Sequence, residues 1–440
     1  MKHIKKLAAF ITIAIMLNLP SYAIEPYTNY IYDSNNNPQE EPQAYLPETI
    51  INGKTLGITE LNGPADIFVA HDNKIYILDS GNNRLIILKN DFTVEKIIDK
   101  LDNNGKVDSF NNPQGIYVTK SNEIFVADTD NSRVISFDYN GKVRFNLGKP
   151  ETNRLQGDYR YQPVKVAVDK TGRIFVVSLN FNQGIIEYDK NGNFISFFGA
   201  VRTVADVKQI FWRFVAQYVP SIKSQIIKNI PTEYSSIAID DKDFIMATVG
   251  IVNENNDKNY IKRLNLMGND VLRRYDKIIP NGDVNMFSYN EKTGKMEQVF
   301  PRLCDIAVRE NGIYSVLDYN TGRVFTYSFN GELMYVFGGV GTKLGQTGQP
   351  CALDVVNGDH YLVVDNKYNQ ILMYKPTTYG SIISKAVGEF YLRNYEAAGL
   401  EWKKALSYTS KSRLVYNGYA KSLFQMKDVN GKINCTLFRH

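Results

Sequence analysis

Asp79-Ser80-Gly81-Asn82-Asn83-Arg84 returns in kind at Asp128 to Arg133, at Asp318 to Arg323 and, in weaker form, at Asp365 to Gln370. Each copy lies between two short apolar runs, such as Ile75 to Leu78 and Leu85 to Leu88 around the first. Strand, polar turn, strand is the reading. Asp at the end of a strand can accept backbone N–H bonds, Asn and Gly tolerate φ > 0, and Arg opens the returning strand. A second marker keeps step: Pro64, Pro113, Pro163 and Pro350 each stand 15 residues before Asp79, Asp128, Ser178 and Asp365. A chain with this period is a repeat of hairpins, and its architecture must stack them.

The pattern Pro-x-x-Ile/Val-x-Val, then Ile-Tyr/Phe-Val-x-Asp-x-x-Asn-x-Arg, then a third strand ending near Gly, resembles the NHL repeat of β-propellers over residues 60 to 376. The resemblance implies an all-β fold, a six-bladed β-propeller within 49–376. The blades are expected at about 60–98, 109–148, 159–199, 231–275, 300–338 and 348–376. Thr49 to Gly57 resembles an outer strand with no hairpin of its own, so it should complete the last blade and close the ring. Blade 4 has Tyr234 in place of the proline and Thr248 in place of the aspartate. Residues 276–299 offer one hairpin and read as an inserted loop; a seventh, degenerate blade is the alternative.

Met1 to Ala23 combines Lys2, Lys5 and Lys6, an apolar run from Leu7 to Leu19, Pro20, and small residues at Ser21 and Ala23. That is a secretory signal, with an uncleaved anchor as the other reading. The expectation is a secreted or extracytoplasmic, envelope-associated protein, with 24–48 a polar, turn-rich lead. Between blades 3 and 4, a helical insertion (201–230) carries Val207, Ile210, Phe211, Phe214, Val215 and Tyr218 at helical spacing. It reads as a cap on the ring, with peripheral membrane contact through 207–230 as a further option. In 380–440 the period changes: Ala386, Tyr395, Ala398, Trp402, Ala405 and Leu406 resemble a tetratricopeptide repeat. Its second copy starts at Gly418 and breaks off near Val429, so the helical segment reads as incomplete.

The formal charge of +5 includes Lys2, Lys5 and Lys6, which leaves +2 for the rest and argues against nucleic acid as a partner. Three cysteines make no disulfide framework. Cys304 and Cys351 share one register on neighbouring inner strands, as small residues near the axis or as a bridge. Zinc-dependent lyases of similar propellers surround the channel with histidines. Here His71 and His360 fall in turns, and His3 and His440 lie at the two ends, so no such set forms.

Gluconolactonase-like propellers hold a divalent cation with axial oxygens, and the equivalent inner-strand positions here are Asp66, Gly115, Lys165, Ser236, Asp305 and Ala352. Asp66 and Asp305 could share a cation, cap backbone amides, or pair with Lys165 and Arg302. The ligand-binding candidates at the channel mouth are therefore Asp66, Lys165, Arg302 and Asp305. The turn residues Asp79, Arg84, Asp128, Arg133, Asp318, Arg323 and Asp365 recur in blade after blade and read as structural. The expectation is a non-enzymatic binding or scaffold protein for a protein or cell-envelope glycan, with no catalytic residue, resident metal or cofactor. The alternative is a metal-assisted lactonase or lyase that works through Asp66, Asp305 and a divalent cation.

Overall fold

The 15-residue spacing has a direct cause in the backbone ladder. Pro64 is the cross-strand partner of Asp79, Pro113 of Asp128, Pro163 of Ser178 and Pro350 of Asp365. In each pair a bulge follows the proline at once. Proline suits this place because the first residue of a strand need donate no ladder bond.

The computed structural model describes residues 26–33, 35, 37–152, 155, 159–199, 233–251, 259–274, 279–283, 286–290 and 294–430. Blade 1 consists of Pro64–Val69, Ile75–Asp79, Arg84–Leu88 and Val94–Ile98, hydrogen-bonded in that order. Blades 2, 3 and 5 repeat it, with inner strands Pro113–Val118, Pro163–Val168 and Leu303–Val308. Blade 4 has three described strands, Glu233–Ile239, Ile245–Ile251 and Ile261–Leu264. Blade 6 has Pro350–Val356, His360–Asp365, Gln370–Pro376 and, as its outermost strand, Tyr45–Ile51. Each inner strand lies against the next, and that of blade 6 against that of blade 1. The result is a closed six-bladed propeller, and Met286–Asn290 with Lys295–Val299 forms a separate hairpin.

The turn signal is explained position by position. Asn83, Ser132, Gly322 and Asn369, each four residues after the aspartate, all have φ between 51° and 66°. That left-handed backbone favours Gly and Asn. The aspartate itself accepts an N–H from the segment entering the inner strand: Asn62 for Asp79, Asn111 for Asp128, Arg302 for Asp318, and Gly348 for Asp365. Arg84 and Arg133 close the set through Nε, each at 2.7 Å. Arg323 departs from it and reaches Asp283 at 2.5 Å.

Apolar residues from facing blades fill the space between them, as Leu78 and Ile87 of blade 1 do with Ile116 and Val126 of blade 2. Where the ring closes, Tyr45 is fully buried among Tyr335, Phe337 and Tyr361, with ring centroids 4.7–5.2 Å from its own. The lead of the chain is less loose than its composition suggests. Tyr30–Tyr32 pairs with Pro38–Glu40, and the phenols of Tyr30 and Tyr32 donate to the buried Asp283.

After blade 6 come α1 (Thr378–Tyr391), α2 (Tyr395–Ala405) and α3 (Arg413–Asn430). Thr377 caps α1 by accepting from Gly380 N. The indole of Trp402 lies where a Cβ on Gly418 would stand 2.3 Å away, so α2 and α3 meet closely. No helix among the described residues is long and apolar enough to cross a membrane. The expected signal (1–23), the helical insertion with its membrane option (201–230) and the tail from 431 lie outside the described residues.

Candidate functional site

Six inner strands each bring one residue to the equivalent register, the third of the strand or, in blade 4, the fourth, and four of these side chains form one connected set. Lys165 Nζ from blade 3 lies 2.7 Å from Asp66 Oδ1 of blade 1 and 3.0 Å from Asp305 Oδ1 of blade 5. Ser236 of blade 4 donates to Asp305 at 2.5 Å. Gly115 of blade 2 makes room: a Cβ there would meet Val164 O at 2.3 Å and Lys165 Cα at 2.9 Å. Ala352 of blade 6 is buried and adds no polar atom.

The second oxygen of each carboxylate is also taken. Asp66 Oδ2 accepts from Ile116 N of blade 2 at 2.9 Å, and Asp305 Oδ2 from Leu353 N of blade 6 at 2.8 Å. Asp354, two residues further along the inner strand of blade 6, accepts from Val69 N of blade 1 at 2.6 Å and from Val355 N at 2.7 Å. Each of these aspartates therefore ties its own blade to the next. Asp354 was not among the sequence candidates, although it occupies the next position on the same face of its strand and a period-2 reading could have found it.

Arg302 does not join them. It is exposed, and its guanidinium lies 4.4 Å from the centre of the Tyr319 ring. The bonds of Asp305 go to Lys165, Ser236 and Leu353 instead.

Burial pushes the Asp66 carboxyl up to about 6; Lys165 pulls the other way and Asp305 adds to the rise. Burial also pushes Asp354 up to about 7, against its two backbone bonds. For Lys165 burial acts downward, but Asp305 and Asp66 outweigh it and hold the ammonium charged. Asp66 and Asp305 set two carboxylates against the one ammonium of Lys165, an excess of negative charge in a buried place that favours a proton on Asp66.

A divalent cation shared by Asp66 and Asp305 does not fit this arrangement. The ammonium of Lys165 already stands between the two carboxylates, and among the described residues no group of three His, Cys, Asp or Glu side chains gathers to hold a metal. His360 pairs with its neighbour Asp359 at 2.7 Å.

The two cysteines are free. Cys304 Sγ points to Pro350 O of the next blade at 3.7 Å, and Cys351 Sγ to Pro64 O at 3.3 Å. Ser235 Oγ does the same for Leu303 O at 2.6 Å, so a thiol here replaces a hydroxyl as a weak inter-blade donor. Burial pushes both thiols well up, which keeps them protonated and poor nucleophiles.

The NHL repeat family model matches residues 110–137, the first three strands of blade 2. No curated protein matches the chain. Among solved structures it is similar to a virginiamycin B lyase from Staphylococcus aureus, at 12% identity over 74% of this chain and 98% of that one, with a TM-score of 0.44. It is also similar to a gluconolactonase from Xanthomonas campestris, at 10% identity over 80% and 95%, with a TM-score of 0.41. A protein of unknown function from Bacteroides thetaiotaomicron gives 10% identity over 72% and 70%, and 0.44. At these scores the likeness bears on neither substrate nor reaction.

Proposed function

We propose that this chain is an exported, non-enzymatic binding or scaffold protein, a rigid propeller that presents its surface to a protein or cell-envelope glycan. The observation that carries this reading is Lys165 between Asp66 and Asp305. The polar groups at the axis are spent on one another and on the backbone of the next blade, which is what a strut between blades needs. A reaction centre needs groups left free to meet a substrate. The three C-terminal helices, which resemble a tetratricopeptide unit in sequence, supply a second surface against the ring.

A lactonase or lyase is the second reading, favoured by one observation. Asp66 and Asp354, held up at about 6 and about 7, fall in the range suited to general acid–base work near neutral pH.

A thermal-shift screen of the chain from residue 24, against calcium, zinc, magnesium and a panel of envelope glycans, separates the two. A ligand at a hundred times its Kd raises stability by about 2.7 kcal/mol. A shift with a glycan, or capture of an exported protein, that survives Asp66→Asn with Asp305→Asn supports the binding reading. A shift with a metal alone, lost in that double variant and accompanied by lactone turnover, overturns it.

A further inference from the structure

A concave surface lies away from the axis. A pocket of about 380 Å³ opens between blade 4 and the turn from α1 to α2, lined by residues that include Asp241, Lys242, Phe329, Tyr391 and Arg393. A groove of about 770 Å³ runs on along α3, lined by Arg274, Asn330, Ala420, Lys421, Phe424 and Gln425. Arg273 and Phe390 line both, so the two form one trench. Its blade 4 wall is the segment around Asp270 to Arg274, which stands in place of a regular fourth strand. Asp270 Oδ1 takes Arg263 N at 3.1 Å, and Val271 N donates to Arg263 O at 2.7 Å.

Charge is distributed unevenly along it. Arg263 is neutralised by Asp240 at 2.6 Å, Arg274 by Asp270 at 2.6 Å and Lys421 by Glu332 at 2.7 Å. Among the described residues, Lys242, Arg273 and Arg393 have no carboxylate within ion-pair distance. Lys242 Nζ sits 4.3 Å from the centre of the Tyr391 ring, and Arg273 Nη1 lies 3.5 Å from Asn330 Oδ1. Against these three cations stands Asp241, which accepts from the Tyr391 hydroxyl at 2.8 Å. The other end is apolar. Phe424 is 62% exposed, and Tyr416, Ala420 and Phe424 make a stripe at four-residue spacing on α3.

Arg393 ends α1 at the rim of the trench. It takes the left-handed position just after α1, φ 67°, where the 6→1 bond from Asn394 N to Glu389 O closes the helix. Glycine is the usual occupant there, and a side chain with a Cβ strains the conformation.

We infer that this trench binds an extended acidic polypeptide segment of a partner protein, with carboxylates at Lys242, Arg273 and Arg393 and a large apolar side chain against Phe390 and Phe424. The inference rests on the binding-protein reading above. A cationic end joined to an apolar end calls for a ligand that alternates acid groups with bulky hydrocarbon along one flexible chain. A polypeptide does that; an anionic polysaccharide presents charge and sugar faces uniformly.

The test is fluorescence anisotropy of the full chain with a labelled acidic peptide bearing a central Phe, alongside the same peptide with Lys for each acid, and a polyuronate oligosaccharide as competitor. Binding of the acidic peptide alone is expected, weakening as salt rises. Arg273→Glu and Phe424→Ala should each lose about tenfold or more in affinity, or 1.4 kcal/mol. Arg393→Gly should lose affinity with an unchanged or higher Tm, whereas a purely structural arginine would move both together or neither. No binding, binding untouched by these substitutions, or the oligosaccharide binding in place of the peptide overturns the proposal. If a partner captured from envelope extract is retained by Arg273→Glu with Phe424→Ala, the trench assignment fails while the binding-protein reading stands.

Discussion

Lys165 Nζ lies 2.7 Å from Asp66 Oδ1, and to make that contact the side chain spans from blade 3 to blade 1. With Asp305 at 3.0 Å on its other side, one ammonium serves three blades. Breaking such a buried set from one side is costly because the charges left behind have no water to replace the partner. Lys165→Met should therefore lose about 3–5 kcal/mol of stability in urea unfolding. Adding Asp66→Asn and Asp305→Asn to it should recover most of the loss. A cost below about 1 kcal/mol for Lys165→Met would mean that the ion pairs are not buried in solution.

Stability should fall with rising pH through the acid range on account of Asp354. A carboxyl raised to about 7 holds its proton more tightly folded than unfolded, where its value is about 3.9. The folded state therefore bears no cost from this group below about pH 4 and the full cost of its ionisation above about pH 7. The slope per group is at most about 1.4 kcal/mol per pH unit. Asp66, raised to about 6, adds to it over a narrower window. Urea midpoints measured from pH 4 to 8 should decline less steeply for Asp354→Asn than for the parent chain; parallel curves would remove Asp354 from the account.

Asp128 tests the structural reading of the turn signal. Its carboxylate is fully buried and accepts from Asn111 N, Asn131 Nδ2 and Arg133 Nε at 2.7–2.8 Å. Asp128→Ala leaves three donors without their acceptor and should cost about 3 kcal/mol or more. Arg133→Ala leaves Asp128 two of its bonds but also removes the two-pronged contact with Asp108 at 2.8 and 2.9 Å, and should cost about 1–3 kcal/mol. The double variant should fall short of the sum, because the second change removes a partner already lost. Ligand binding, once a ligand is in hand, should stay unchanged in both.

The local parts of this fold were legible because their causes are local. The 15-residue interval from Pro64 to Asp79 is a cross-strand pair, and the Asn83 position is a left-handed backbone site; both leave their mark within one hairpin. The meeting of Asp66, Lys165 and Asp305 was legible only as a set of equivalent positions, since which of them touch depends on the closed ring. Asp283 left no mark at all. It binds Tyr30 and Tyr32 from more than 250 residues away, and draws Arg323 off the pattern its repeat predicts. Arg302 was misplaced for a related reason: it precedes the bulge, and the chain there turns its side chain outward onto Tyr319. The trench was illegible because its two walls come from different repeats, and a period says nothing about the surface between one architecture and the next.

Ring closure makes the last prediction. Tyr45–Ile51 is the only strand of blade 6 that comes from the other end of the sequence, pairing with Gln370–Pro376 from Ile51↔Ile371 to Tyr45↔Pro376. If the ring is held there, losing this strand should expose the edge of Gln370–Pro376, and an unpaired edge invites association. A chain beginning at residue 53 should therefore elute as aggregate in size-exclusion chromatography, whereas one beginning at residue 26 should not. Tyr45→Ala separates packing from pairing. It keeps the backbone ladder but removes a ring lodged among Tyr335, Phe337 and Tyr361, and large-to-small changes of that kind cost about 3–5 kcal/mol. The variant should stay monomeric and unfold earlier. If it aggregates as the truncated chain does, the side chain rather than the ladder is what seals the ring.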